Sequence, residues 1–215
     1  MKAFIFTGGV IYPEYITEHP TGDDIVIAAD SGYQNARATG TQVSILCGDF
    51  DSFTAREGKP PEDTLPASVE IIRVPTEKDA TDTQLAVSLA LDKGADEIVI
   101  IGGLGGRLDH TLSNLGILEH LAEKNIYATI LDGQSRARYV NATSYLIARS
   151  PYRYLSIVAA DKVVKGVSVD GCKYPLKNAR LCRGFQYAVS NEITGNCALI
   201  SVKKGGIFLI ESRDV

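Results

Sequence analysis

Val43-Ser44-Ile45-Leu46-Cys47-Gly48-Asp49-Phe50-Asp51-Ser52 decides how this chain is read. A short apolar run ends in a glycine and two carboxylates separated by one residue. Read as a strand, its alternation turns Asp49 and Asp51 to the same side just past the strand's end. Two like charges that close repel each other unless a cation lies between them. Carboxylate oxygens suit a hard ion such as Mg²⁺, which binds through a few carboxylates, waters and substrate phosphates. A solvated acidic turn is the competing reading of one Asp-x-Asp taken alone, and the rest of the chain decides between the two.

Working outward, apolar runs and helix-like stretches alternate up to about residue 135. Strands are expected at Ala3–Thr7, Asp24–Ala29, Val43–Leu46, Val69–Val74, Glu97–Ile101 and Tyr127–Leu131, and helices at Gly32–Ala38, Asp82–Lys93 and Leu108–Lys124. In the second helix Leu85, Ala86, Leu89 and Ala90 recur at helical spacing, and Gly94 stops it. The third carries Leu112, Leu115, Leu118 and Leu121 on one side. This order predicts an α/β fold, a mostly parallel sheet flanked by helices.

After residue 136 the rhythm changes. Arg138–Val140, Ser144–Ala148, Leu155–Ala159, Val163–Val169, Gln186–Val189, Ala198–Val202 and Ile207–Ile210 are short, rich in valine, isoleucine and tyrosine, and separated by turns such as Asp170-Gly171 and Gly205-Gly206. They predict a smaller all-β domain, a sandwich. The expected domains are therefore residues 1–135 and 136–215, joined near Asp132-Gly133-Gln134-Ser135. Arg56-Glu57-Gly58-Lys59-Pro60-Pro61 reads as an exposed loop.

In open parallel sheets, ligands bind beyond the carboxyl ends of the strands. Here those ends are Ala29-Asp30-Ser31-Gly32, Gly48-Asp49-Phe50-Asp51-Ser52, Pro75-Thr76-Glu77-Lys78-Asp79-Ala80-Thr81-Asp82 and Gly102-Gly103-Leu104-Gly105-Gly106-Arg107-Leu108-Asp109-His110. Four ends on one edge, each with a carboxylate, outweigh the reading of any one as a bland turn. Asp79 or Thr81 can cap the following helix, with Asp82 in its first turn where the macrodipole favours an anion. Lys78 adds a cation suited to a phosphate. The glycine run matches neither the Walker pattern nor Gly-x-Gly-x-x-Gly, yet it leaves amides unobstructed before a helix, a natural phosphate cradle. Arg107 supplies a forked cation.

Composition narrows the function. The 215 residues are 45% hydrophobic and 22% charged, as in an ordinary globular protein. A formal net charge of −4 argues against nucleic-acid and anionic-membrane partners, which call for a basic face. No apolar segment approaches the roughly 20 residues needed to span a bilayer, and the first apolar run is too short for a signal peptide. Cys47, Cys172, Cys182 and Cys197 are scattered, which suits reduced thiols in a cytoplasm better than disulfides or zinc. No Gly-x-Ser-x-Gly elbow is present. Of His19, His110 and His120, only His110 lies at an expected ligand edge. Acids, glycines, Lys78 and Arg107 are the inventory of Mg²⁺-assisted phosphoryl or pyrophosphoryl transfer.

The ordered set Ala29-Asp30-Ser31-Gly32, Gly48-Asp49-Phe50-Asp51-Ser52, Lys78-Asp79-Ala80-Thr81-Asp82 and Gly105-Gly106-Arg107-Leu108-Asp109-His110 resembles the thiamine pyrophosphokinase family, as does the late Ser190-Asn191-Glu192. The resemblance spans almost the whole chain, including the change from α/β to all-β. It implies transfer of the pyrophosphoryl group of ATP to the hydroxyl of thiamine, giving thiamine diphosphate and AMP. It also implies a Mg²⁺-dependent homodimer, with thiamine between the α/β domain of one subunit and the β domain of the other. By position it makes Asp49, Asp51, Asp79, Asp82 and Asp109 the acidic catalytic cluster, with the first four on the metal. Arg107, Gly105, Gly106, Lys78 and His110 then fall at the ATP phosphates, Asp30, Ser31 and Asn35 on the nucleotide side, and Ser190 and Asn191 at the thiamine pyrimidine. The chain has no tryptophan, which some members place against the substrate; Phe185 or Tyr187 could stack there instead. A pyrophosphokinase for a related alcohol, such as a hydroxymethyl-pterin, and a non-catalytic thiamine or nucleotide sensor are the alternatives.

Overall fold

The computed structural model describes residues 1–75 and 79–214. Lys78, assigned above to a phosphate, lies outside the described residues. The chain forms two compact units, Met1–Gly133 and Gln134–Val215. Among the described residues no helix is long and apolar enough to cross a membrane.

The first unit holds β1 (Lys2–Phe6), β2 (Ile25–Ala29), α1 (Gly32–Ala38), β3 (Ile45–Gly48), α2 (Asp51–Glu57), α3 (Pro61–Thr64), β4 (Glu70–Arg73), α4 (Asp82–Asp92), β5 (Glu97–Ile101), α5 (Leu108–Glu123) and β6 (Tyr127–Leu131). Its strands lie in the order β4-β3-β2-β1-β5-β6, and each neighbouring pair is parallel. Continuous apolar runs build the centre because a parallel strand is covered on both faces. Ile5, Ile27, Ile98 and Ile100 are fully buried, as are the oppositely directed Phe4 and Phe6 within about one percent. Helices α1 and α4 pack on β1 and β2, and α5 on β6. Thr81 caps α4, its hydroxyl accepting from the Gln84 amide at 3.2 Å, and Asp82 begins the helix as its dipole favours.

The stretch after β3 departs from the expected picture. Phe50 is left-handed (φ 68°), so strand alternation stops there and Asp51 becomes the first residue of α2. Asp49 and Asp51 are therefore not two teeth of one strand; the Asp49 Oδ1 accepts the Asp51 amide at 3.3 Å, a local Asx turn. The charged stretch read as a loop is helical over Arg56-Glu57 and again from Pro61. The cause lies in the neighbouring aromatics. Phe50 and Phe53 are buried against Ala28 and Leu46, and burying two such rings stabilises the turn by several kcal/mol, on the order of 2–3 each.

The second unit is all β: β7 (Ser135–Asn141), β8 (Ser144–Ala148), β9 (Tyr154–Ala159), β10 (Val163–Asp170), β11 (Leu176–Cys182), β12 (Cys197–Ser201) and β13 (Gly206–Ser212). Strands β7-β13-β9 form one antiparallel layer and β11-β10-β12-β8 another. Val140, Leu155, Ile157, Ile207 and Leu209 from the first layer share a core with Ile147, Val164, Val167, Leu181 and Ile200 from the second, so the unit is a sandwich. One expected strand is replaced. Gln186–Val189 is not a strand, although the Ile157 amide donates to the Ala188 carbonyl at 2.7 Å. Leu176–Cys182 forms the edge strand instead. Register shifts against β10 and a left-handed Asn178 (φ 48°) break its alternation, which is why Leu176-Lys177-Asn178-Ala179-Arg180 gives little sign of a strand.

Candidate active site

The order β4-β3-β2-β1-β5-β6 reverses its direction of growth at β1 and β5. Loops leave those two strands in opposite directions, opening a crevice at their carboxyl ends. A cleft of about 450 Å³ lies there. Thr7 to Val10 line it from the loop after β1, Asp30 and Ser31 from the end of β2, and Thr81 to Thr83 from the start of α4. Gly102, Gly103, Gly105, Gly106 and Arg107 line it from the loop after β5, and His110 and Asn114 from α5.

Backbone forms much of the wall. A Cβ on Gly8 would stand 2.0 Å from the Ser31 Oγ, and one on Gly9 would stand 2.2 Å from the Gly102 carbonyl. The Gly9 amide donates to that carbonyl at 3.1 Å, lacing the two loops together. Gly105 and Gly106 are both left-handed (φ 74° and 69°), which other residues rarely adopt, and they present bare backbone just before α5. The first amides of α5 also lack partners within the helix. Together these donors suit an anion with many oxygens.

Asp30 is buried and left-handed (φ 45°). Its amide donates to the Cys47 carbonyl at 2.8 Å, and its Oδ1 accepts from the Phe53 amide at 3.2 Å. It therefore locks the end of β2 to the start of α2 as well as facing the cleft. Arg107 is well exposed and forks onto Asp109, with Nε to Oδ1 at 3.2 Å and Nη2 to Oδ2 at 2.6 Å. The hydrogen bond and the opposite charge raise the Arg107 pKa above its ordinary value. The same hydrogen bond leads the effects that hold the Asp109 carboxyl below its own.

Of the residues singled out in the sequence, Asp30, Ser31, Asp82, Gly105, Gly106, Arg107 and His110 line this one cleft. Asp49, Asp51, Asp79, Asp109 and Asn35 are not among its lining residues. Asn35 turns its amide to the Thr7 and Gly9 carbonyls, at 2.6 and 2.8 Å. Thr7-Gly8-Gly9, Thr83 and Asn114 were missed; a glycine pair just past the first strand, on the edge where the other loops gather, was the available signal. Among the described residues no three His, Cys, Asp or Glu side chains form a group that could hold a metal. Mg²⁺ asks less of a protein than that, since one or two carboxylates suffice when phosphates supply other oxygens. Asp82 on the cleft wall is an oxygen donor of the kind such an ion takes, and Asp49, Asp51 and Asp79 are carboxylates of the same chemistry.

Ser190 and Asn191 belong to the second unit. The Asn191 backbone pairs with Leu155 in both directions, at 2.8 and 3.0 Å. Its Oδ1 accepts from the Tyr174 amide at 3.0 Å and the Glu192 amide at 2.9 Å, and its Nδ2 donates to the Tyr174 carbonyl at 2.7 Å. Ser190 is left-handed (φ 55°), and its amide donates to the Ser156 Oγ at 2.9 Å. Asn191 lines a small apolar pocket of about 60 Å³ with Leu155, Ile157, Tyr174, Leu176 and Tyr187. Tyr174 and Phe185 stand 60% and 71% exposed, and the Phe185 and Tyr187 rings lie 6.0 Å apart.

Comparison with known proteins agrees with both units. Residues 19–130 match the catalytic domain of thiamin pyrophosphokinase, and residues 144–207 match its vitamin B1 binding domain. A thiamine pyrophosphokinase of Bacillus subtilis is 34% identical over 168 residues, 78% of this chain and 77% of that protein. A crystal structure of thiamine pyrophosphokinase from Bacillus subtilis superimposes with a TM-score of 0.87 at 31% identity, covering 100% of both chains. One from Geobacillus thermodenitrificans gives 0.86 at 27% identity, covering 100% of this chain and 98% of the other. The chain belongs to the thiamine pyrophosphokinase family and is an ATP-dependent diphosphotransferase.

Proposed function

We propose that this protein transfers the pyrophosphoryl group of ATP to the hydroxyl of thiamine, releasing AMP and thiamine diphosphate. The observation that carries the reading is the cleft at the strand-order reversal, walled by bare glycine backbone and carrying Arg107, Asp30 and Asp82, in a chain of this family. Gly8, Gly105, Gly106 and Arg107 bind the triphosphate with His110 beside them, Asp30 and Ser31 lie on the nucleotide side, and Lys78 is assigned to the phosphates by the family resemblance alone. Asp49, Asp51, Asp79 and Asp82 are the residues assigned to Mg²⁺, with Asp109 completing the acidic cluster. An ion held by these carboxylates would supply neutralisation of the phosphate charge. One aspartate of this set takes the proton of the thiamine hydroxyl as that oxygen attacks the β-phosphorus in line. Fixed loops supply most of the acceleration by positioning and electrostatics, and the acidic set attracts the cationic thiazolium.

Ser190 and Asn191 are assigned to the pyrimidine end, where the apolar pocket and exposed aromatic rings of the second unit suit a flat heteroaromatic ring. In this reading the first unit is the catalytic, Mg·ATP-binding domain and the second the thiamine-binding domain. A homodimer with its active site completed at the subunit interface is the assembly we assign. The cytoplasm is the compartment, in keeping with four scattered cysteine thiols. Substrate competition at saturating ATP tests the acceptor: turnover of thiamine and not of a hydroxymethyl-pterin supports the assignment, and the reverse preference refutes it.

A further inference from the structure

We infer that Asn35 and Asn114 are positioning residues for the nucleotide phosphates, two carboxamide clamps that set the backbone donors of the loops after β1 and β5. The inference rests on reading the cleft as the ATP site. A side-chain amide carries two N–H donors. Asn35 commits its Nδ2 to two carbonyls, Thr7 at 2.6 Å and Gly9 at 2.8 Å, which flank Gly8. In a trans peptide the N–H points opposite to the C=O of the same unit. Drawing the Thr7 carbonyl toward α1 therefore turns the Gly8 amide the other way, and drawing the Gly9 carbonyl does the same for the Val10 amide. Gly8 and Val10 both line the cleft, and neither amide has an acceptor among the described residues.

Asn114, on α5 and itself on the cleft wall, fastens the second loop by a single carbonyl. It is 5% exposed, and its Nδ2 donates to the Gly103 carbonyl at 2.9 Å. The Gly9 amide on the Gly102 carbonyl, at 3.1 Å, couples the two clamped loops. The packing around Asn35 admits little adjustment, since a Cβ on Gly102 would stand 2.9 Å from its Nδ2. Asn35 thus acts on a phosphate through the backbone of Thr7-Gly8-Gly9 and does not line the cleft itself. Preset donors bind an anion without the ordering cost that a free glycine loop would incur.

Asn35→Asp keeps the shape and removes the donors, setting a carboxylate against two carbonyl oxygens. Calorimetry with Mg·ATP in the absence of thiamine, joined to steady-state kinetics on the full chain, tests the clamp. Asn35→Asp is expected to raise the ATP Kd and KM about tenfold or more, a loss of the size expected for hydrogen bonds acting through a loop. The KM for thiamine should stay within about twofold. Asn35→Ala, which removes the same donors without adding a charge, gives the same test should Asn35→Asp fail to fold. Unchanged ATP affinity in a folded variant, or an equal rise in both KM values, overturns the clamp. Wild-type protein that does not bind Mg·ATP overturns the reading of the cleft itself, a distinct result.

Discussion

Arg107 holds Asp109 in a two-point grip, Nε to Oδ1 at 3.2 Å and Nη2 to Oδ2 at 2.6 Å. A guanidinium fork presents the same edge to a carboxylate and to a phosphate. A phosphate that engages this edge of Arg107 must displace Asp109. Asp109→Asn, which weakens the competitor, is expected to bind ATP as tightly as wild type or more so, while its kcat falls if Asp109 serves the chemistry. Arg107→Ala should raise the ATP KM about tenfold or more, and Arg107→Lys should recover little because it offers a point charge without the fork. Calorimetry and initial rates on the three variants check this; weaker ATP binding in Asp109→Asn would contradict the exchange.

Asp51 begins α2 at the surface, so Asp51→Asn should leave the fold intact. Its kcat is expected to fall by about 10²–10³, as when a group that stabilises transition-state charge is lost. Circular dichroism with single-turnover kinetics makes the measurement, and near-normal turnover would remove Asp51 from the acidic set.

Asn191 ties Tyr174 into the second unit by two hydrogen bonds, at 3.0 and 2.7 Å. Asn191→Ala is expected to cost about 1–2 kcal/mol of stability and to raise the thiamine KM several-fold, with the ATP KM unchanged. Replacing Ser190 should likewise affect thiamine alone. A selective ATP defect in either variant would contradict the division of labour between the units.

Glu211 is buried between Arg136 and Arg138, at 2.7 and 2.6 Å, and accepts from the Ser150 hydroxyl at 2.9 Å. Burial pushes its carboxyl upward, but the hydrogen bonds and charges of the two arginines outweigh this and hold it below the ordinary 4.5. Because the folded value is depressed, the stabilisation is fully present above that ordinary value and fades as pH falls through the folded one. Urea unfolding of wild type should therefore show stability declining below about pH 4.5. Glu211→Gln should flatten that decline while costing up to about 3–5 kcal/mol at neutral pH, since it leaves two partly buried arginines without their anion. A pH profile unchanged by the substitution would show that other carboxylates govern it.

The parallel sheet was legible because a strand buried on both faces must be apolar throughout, as Ala3–Phe6 and Ile98–Ile101 are. The ends of α4 followed from capping and glycine chemistry, with Thr81 before it and Gly94 after it. Helix α2 was hidden because its signal is the pair Phe50 and Phe53, and the carboxylates beside them drew the eye to a strand end. Edge strand β11 was hidden by polar exposure and a left-handed Asn178. At the cleft, Asp30, Asp82, Arg107 and the glycines before α5 announced themselves through their chemistry, while Gly8 and Gly9 did not. Asn114 did not either, and Asn35 entered only through the family resemblance, since what matters about them is which distant carbonyl each one holds.

The most direct measurement mixes the purified protein with ATP, Mg²⁺ and thiamine and resolves the nucleotide products. Pyrophosphoryl transfer requires AMP that depends on thiamine, appears in equal amount with thiamine diphosphate, and vanishes with EDTA. ADP in its place would show single-phosphoryl transfer, and no nucleotide product from protein that binds both ligands would show a sensor; either result would contradict the proposed reaction.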